Sequence, residues 1–484
     1  MTLRGGYDVV LAGRPDKTLS PMPDPDALYL PLKTRRFHFT DVRVGNDDTI
    51  GQGDTLAEDP ANFSVPLLAP RAGKIVYSPS DPCITLTHLA KTPAKAKPAD
   101  AAAQLPHVAP EMGDGGRNRY KLLSLGAWEY VSDAYTGALP DPFGICQAVV
   151  VSTVAMEPFV ARGDAQLGGK LLNFTRGLEH IQSLLEYQPI YLVMPDIHSQ
   201  LATQIRDQLR GYAWVKLVEI PPKYPFDNFS VLARHLGLKP AAGPVWCLRT
   251  EGALAVDQAL TGDKPCLTRI VAIGGPPVSS PRHYEVLPGH PLADLAARAG
   301  LGPNVRLLDG GALTGKKVKL SDKSGLDPEC RGLTALAEQT DREFLGFVRP
   351  GADRRSYAAC FLSTLRGKFS EKLTTGMRGE PRPCIGCNFC EEVCPAGILP
   401  YLIHKHLYAD QIDEAAQARV DLCVECGLCS FVCPCKIELM QQFIDAKAVI
   451  AKEKAEAEAA AAKAAAAEEA ARQAAQAAAA QESR

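Results

Sequence analysis

Cys384-Ile385-Gly386-Cys387-Asn388-Phe389-Cys390-Glu391-Glu392-Val393-Cys394-Pro395 and Cys423-Val424-Glu425-Cys426-Gly427-Leu428-Cys429-Ser430-Phe431-Val432-Cys433-Pro434 are two copies of one pattern, Cys-x2-Cys-x2-Cys-x3-Cys-Pro. Three thiolates spaced two residues apart can wrap one corner of an iron–sulfur cubane. The fourth iron is then held from elsewhere. This is the spacing of bacterial two-cluster ferredoxins, in which the fourth Cys of each run ligates the other cluster. The reading therefore assigns Cys384, Cys387, Cys390 and Cys433 to one 4Fe–4S cluster, and Cys423, Cys426, Cys429 and Cys394 to a second. Each following proline fixes φ and ends the local turn. Structural zinc sites with four cysteines use two separated Cys-x2-Cys knuckles, with no reason for a third Cys or a repeated Cys-Pro. Interleaved ligands bring two clusters close together, which suits electron transfer.

Nine of the 15 cysteines fall within residues 384–435, and the other six are scattered singly over the first 360 positions. A secreted disulfide framework would spread paired cysteines through a short chain, so the cluster reads as a metal site in a reducing compartment. Cys435 lies outside the repeat as a spare, semi-buried thiol. Residues 398–420 read as two short helices from the spacing of Leu399, Leu402, Ile403 and Leu407, making an α-helical ferredoxin domain. His404 and His406 there read as packing or solvent-facing residues.

The chain has 484 residues, with 53 Lys+Arg against 55 Asp+Glu. That length suggests about three or four domains, and the near-zero net charge gives no global case for nucleic-acid binding. The longest uncharged apolar run, residues 145–156, falls short of the roughly 18 residues a membrane span needs. The first residues lack the apolar core of a secretory signal. A soluble, multidomain, cytosolic chain is expected.

Six segments follow. Residues 1–90 are rich in β-branched residues, Gly, Pro and Asp; Ala69-Pro70-Arg71-Ala72-Gly73-Lys74 and the stretch before it are similar to the β-sandwich of lipoyl and biotinyl domains. The hairpin at 62–66 carries no lysine for a swinging arm, and Lys74 is out of register. Residues 91–116 are a Pro/Ala/Lys linker ending in a glycine-containing loop, Gly113, Gly115 and Gly116. Residues 117–244 alternate strand 147–153, helix 167–187, strand 189–194, helix 199–211 and strand 214–220, a Rossmann-like parallel α/β domain. No G-x-G-x-x-G follows its first strand, so NAD and FMN are not supported by motif. Residues 245–345 read as a β-grasp (SLBB-like) module, with strands at 269–275 and 283–286, a helix at 291–299 and a turn at 308–315. Residues 346–445 form the helical two-cluster domain. Residues 446–484 are an Ala-rich helix or disordered tail without an apolar face.

This order of parts resembles the family shared by the A-type subunit of the Na+-translocating NADH:quinone reductase (Nqr) and the C-type subunit of the Rnf ferredoxin:NAD+ complex. It is also similar to the flavin-binding subunit of respiratory complex I. The body looks most like the first of these, through Gly6-Tyr7-Asp8-Val9-Val10-Leu11-Ala12-Gly13-Arg14-Pro15, residues 245–281 and Arg342-Glu343-Phe344-Leu345-Gly346-Phe347. The Nqr member usually keeps only vestiges of the cysteine motifs, whereas all eight stand here, as in the Rnf member. Of the Rnf flavin and NADH loop, Val154-Ala155-Met156-Glu157-Pro158-Phe159 keeps only the Glu-Pro-aromatic part.

The resemblance implies a peripheral electron-transfer subunit on the cytoplasmic face of the cell membrane, with the other subunits of the complex as partners and quinone as a candidate ligand. Ion translocation would belong to those partners. An Rnf-like exchange of electrons with ferredoxin is the alternative, and a scaffold with structural metal sites is the third. No G-x-S-x-G or H-E-x-x-H anchors hydrolase chemistry. Glu157 reads as an exposed turn residue, and Arg14 as a surface-loop arginine.

Overall fold

The computed structural model describes residues 3–90, 114–196, 199–302, 304–321, 323–339, 369–376 and 380–482. Residues 91–113 of the expected linker and the family-like stretch 342–347 lie outside these. The chain divides into two compact units, Met1–Gly379 and Glu380–Arg484.

Among the described residues, the first unit holds four sheets. Its N-terminal part is two small antiparallel sheets. One runs Leu28–Pro31, Cys83–Thr87, Gly73–Val76, Thr49–Ile50, and the other Asp41–Val42, Thr55–Asp59, Val65–Leu68. Leu28 and Leu30 alternate with less buried neighbours, the period of a strand with one inward face. They share one core with Leu56, Val65, Ile84 and Leu86. Each such buried side chain contributes about 1.5–3 kcal/mol. The hairpin joining Thr55–Asp59 to Val65–Leu68 turns through Pro60–Asn62, where the Asp59 carboxylate accepts from the Ala61 N–H. Lys74 lies in a strand and pairs with Asp47 at 2.8 Å. Not all of 1–90 stays in this part: Leu19–Pro21 pairs in parallel with Arg282–Val286 and so belongs to another sheet.

The α/β part is a parallel sheet ordered Val215–Ile220, Ile190–Pro195, Ala148–Ser152, Val245–Arg249, closed by the antiparallel edge Ser132–Asp133. All five residues of Ala148–Ser152 are buried, as a central strand covered on both faces requires. The strand–helix alternation expected here is present, although the helix expected over 167–187 is shorter, Leu171–Ser183, and a separate helical turn, Gly163–Gln166, stands before Gly168 and Gly169. Two boundaries differ. Val245–Arg249, expected to open the β-grasp module, is the fourth parallel strand, and Thr250–Gly262 follows as its helix. Its apolar run reads alike in either module; only the pairing partner distinguishes them. Gly115 and Gly116, expected in a loop, lie in the helix Asp114–Ser124, which buries Leu122 and Leu123. Leu171–Ser183 packs on Thr250–Gly262 through Gly177, where a Cβ would stand 2.0 Å from the Ala253 carbonyl oxygen.

The third part is a six-stranded mixed sheet ordered Leu19–Pro21, Arg282–Val286, Arg269–Gly274, Gly332–Ala337, Val305–Asp309, Lys316–Lys317. The helix Leu292–Arg298 buries Leu292 and Leu295 in its core. The turn expected at 308–315 connects Val305–Asp309 with Lys316–Lys317. A buried ionic knot joins the three parts. Arg269 pairs with Glu129 at 2.7 Å and stacks on Tyr130, while Arg36 pairs with Glu329 and donates to the Val131 carbonyl.

The second unit is helical: Phe389–Glu392, Pro400–Tyr408, Ile412–Gln417, Leu428–Val432 and Leu439–Glu482. Its core gathers Cys390, Ile398, Ile403, Ala415, Val420, Leu439 and Phe443. The expected break at 445/446 is absent, because Leu439–Glu482 runs through it unbroken, with Ala446 still buried. From 451 to 465 every side chain is exposed. Alanine's helix propensity carries the backbone on after apolar burial has ended.

Candidate iron–sulfur centres

The two cysteine runs fold alike. In each, the residues two and four places after the first Cys have positive φ: Gly386 (68°) and Asn388 (62°) in the first, Glu425 (54°) and Gly427 (76°) in the second. Each run then enters a short helix, Phe389–Glu392 or Leu428–Val432. Alternating φ signs turn successive N–H groups to one side of the chain, the concavity that suits thiolates and iron–sulfur clusters. The Glu425 N–H donates to Cys423 Sγ at 3.4 Å. Further backbone N–H groups act on Cys426, Cys429 and Cys433.

Electrostatic neighbourhood groups the thiols across the runs. Burial first, then Cys387, Cys433 and Cys384, push Cys390 up to about 12. Burial also pushes up Cys426 to about 12, and Cys429 well above its ordinary value, with Cys423 and Cys394 adding to both. Cys433 thus acts on the first run and Cys394 on the second. Among the described residues, no three His, Cys, Asp or Glu side chains converge tightly enough to hold a single metal ion. The donor set fits iron–sulfur chemistry: eight soft thiols, backbone N–H donors and apolar surroundings. Ligation requires the thiolate form, so uptake would release protons that burial otherwise retains.

Each set of four has one buried thiol, Cys390 or Cys426, and three half-buried ones; the runs differ in the residues between their first cysteines. Ile385, between Cys384 and Cys387, is 69% exposed, whereas Cys426, Gly427 and Leu428 are all buried. Cys435 is buried, and its carbonyl accepts from the Arg382 N–H at 3.0 Å. His404 Nδ1 bonds Gln442 Oε1 at 2.7 Å and His406 Nδ1 bonds Gln411 Oε1 at 3.0 Å. His404 thus packs one helix on another, while His406 makes a local, exposed contact. Sequence reasoning missed Lys447, which donates to the Cys423 carbonyl at 3.2 Å and pairs with Glu425. It stands at the edge of an Ala/Lys/Glu-rich stretch, and no local spacing marks it.

A separate crevice of about 1090 Å³ opens in the first unit at the carboxyl ends of Ala148–Ser152 and Ile190–Pro195. Arg14, Lys17, Arg162 and Asp164 line it. Arg162 (2.6 Å) and Lys17 (3.3 Å) share one Asp164 oxygen. Burial and then Arg162 lower the Arg14 pKa, although much of its surface remains open to solvent. Glu157 is not the exposed turn residue expected. Its carboxylate accepts from the Leu313 N–H (3.1 Å), the Thr314 N–H (2.8 Å) and the Thr314 hydroxyl (2.9 Å). Burial raises its pKa against these bonds.

Residues 371–437 match the family described as a 4Fe-4S dicluster domain. Over most of its length the chain is similar to proteins named as the A-type subunit of the Na(+)-translocating NADH-quinone reductase. That of Shewanella frigidimarina is 24% identical over 423 residues, covering 86% of this chain and 91% of the relative. That of Alcanivorax borkumensis is 24% identical over 424 residues, covering 85% and 90%. Among solved structures, a chain of an NAD+-reducing NiFe-hydrogenase in the air-oxidized state aligns with a TM-score of 0.36 and 15% identity. It covers 46% of this chain and 47% of that one. Among the described residues, no helix is long and apolar enough to cross a membrane.

Proposed function

We propose that this chain is the peripheral electron-transfer subunit of a Na+-translocating NADH:quinone oxidoreductase-type complex, relaying single electrons through two 4Fe–4S clusters. Cys384, Cys387, Cys390 and Cys433 would hold one, and Cys423, Cys426, Cys429 and Cys394 the other. The observation that carries this reading is the dicluster match over residues 371–437 together with the cross-run coupling of the thiols. The clusters supply one-electron chemistry. The chain supplies thiolates, N–H donors that favour negative sulfur, and apolar burial that keeps water away. Likeness to the reductase subunits over 86% of the chain favours a place in such a complex, docked on the cytoplasmic side of the membrane with other subunits as partners. Quinone, if this chain meets it, and the transported ion belong to that assembly.

The intact cysteine runs favour a second reading, exchange of electrons with soluble ferredoxin as in an Rnf-type complex. Anaerobic purification followed by iron, sulfide and zinc analysis and EPR tests both. About eight irons per chain, the sum of two four-iron clusters, with the spectrum of two interacting centres supports electron transfer. Reduction by ferredoxin, rather than by the partner subunits of a quinone reductase, would then select the second reading. Zinc with no reducible signal would overturn both and leave a structural clamp.

A further inference from the structure

The two cysteine runs share a backbone but not their charges. Where the first has Gly386, the second has Glu425, in the same left-handed conformation. Glu425 is paired with Lys447, which reaches back from the helix Leu439–Glu482 and also donates to the Cys423 carbonyl at 3.2 Å. The Glu425 N–H meanwhile donates to Cys423 Sγ. The first run has its own acidic residues, Glu391 and Glu392, after its third Cys rather than between its first two.

We propose that Lys447 and Glu425 are positioning residues that set the reduction potential of the cluster held by Cys423, Cys426, Cys429 and Cys394, Lys447 raising it and Glu425 lowering it. The inference rests on the two-cluster reading above. Reduction adds one electron, and hence one negative charge, to a thiolate-bound centre, with no bond made or broken; the electron comes from the external reductant. A fixed cation near that charge favours the reduced state, and a fixed carboxylate opposes it. Lys447 and Glu425 are each partly exposed, at 30% and 41%, so solvent and salt weaken the effect. We expect a change of about tenfold in the reduction equilibrium, or about 59 mV for one electron.

The test is an EPR-monitored redox titration of the full chain, purified anaerobically, as wild type, Lys447→Gln, Lys447→Arg and Glu425→Gln, each with iron and sulfide counted. Lys447→Gln should make reduction of one cluster about tenfold less favourable. Glu425→Gln, which keeps the N–H to Cys423, should move the same midpoint the opposite way. Lys447→Arg should restore the wild-type value, and the other cluster should not move. A pair that merely pins the helix would change stability or iron retention without opposite shifts in potential. Unmoved midpoints in fully loaded variants, or shifts in the same direction, overturn the proposal. Should Lys447→Gln lose iron, Glu425→Gln decides alone, and a midpoint unchanged or lowered overturns it. A wild-type chain with no reducible iron–sulfur signal would instead overturn the two-cluster reading itself.

Discussion

Cys394 acts electrostatically on Cys423, a thiol of the other cysteine run. The crossing has a reciprocal, since Cys433 acts on Cys390 and is itself acted on by Cys387. Each fourth cysteine follows a short helix, Phe389–Glu392 or Leu428–Val432.

From this exchange the effects of single substitutions can be stated. Cys433→Ser should impair the cluster of Cys384, Cys387 and Cys390 and spare that of Cys423, Cys426 and Cys429; Cys394→Ser should do the reverse. Each variant should fall from about eight irons per chain toward about four and lose the spin coupling between centres. If Cys433→Ser instead perturbs the cluster of Cys423, Cys426 and Cys429, the crossed assignment is wrong.

Glu157 and Gly311 form an equally specific pair. A Cβ at Gly311 would stand 2.3 Å from the Glu157 carboxyl carbon, so Gly311→Ala should strain the joint by about 1–3 kcal/mol. Glu157→Ala should cost a similar amount, because it leaves the Leu313 and Thr314 N–H groups without their acceptor. In the double variant the clash is gone, and the combined loss should be clearly smaller than the sum. Denaturant unfolding of the four proteins measures it; simple additivity would refute the contact.

The difference between what the sequence disclosed and what it concealed is physical. The cysteine runs, the strand–helix alternation of 147–220 and the helices between the runs were legible, because each depends on spacing within one segment. Assignments that depend on partners were not. Val245–Arg249 has the apolar run of any buried strand, and only its pairing with Ala148–Ser152 places it in the parallel sheet. Leu19–Pro21 carries no mark of its pairing with Arg282–Val286. Glu157 sits before a proline, as exposed turn residues often do, and only the folded chain brings Thr314 to it. Lys447 likewise becomes meaningful only once the helix returns it to Cys423.

Asp327 gives the first unit a pH dependence of known sign. Burial, with Glu329 and Asp309 adding like charge, raises its carboxyl from 3.8 to about 7, while the Glu329 N–H works against this. A carboxyl whose folded pKa is raised binds its proton more tightly in the folded state. Its contribution is therefore fully present below pH about 4 and is lost as pH rises to about 7. The loss is on the order of 4 kcal/mol. Asp327→Asn should remove that portion of the slope and leave the variant the more stable of the two at pH 8. The difference between wild type and variant in urea unfolding across pH 4–8 is the measurement, since other carboxyls titrate in both. A variant whose slope matches wild type would remove Asp327 as the cause.

The tail separates helix formation from stability. Phe443 and Ala446 are buried and Lys447 makes its pair, whereas every side chain from 451 to 465 is exposed. The ion pairs in that stretch, Lys452–Glu456 and Lys454–Glu458, are exposed i,i+4 pairs at 3.8 Å, each worth about 0.3–0.5 kcal/mol. They support the helix locally and tie it to nothing else. Ending the chain after Ala451 should therefore reduce the helical circular dichroism signal while leaving iron content unchanged and the unfolding free energy within about 0.5 kcal/mol. Ending it after Gln442 removes Phe443, Ala446 and Lys447 together. That shorter chain should lose several kcal/mol, since Phe443 alone contributes about 3–5 kcal/mol, and should retain iron poorly. If both truncations behaved alike, the boundary between packed helix and solvated extension would not lie between these residues.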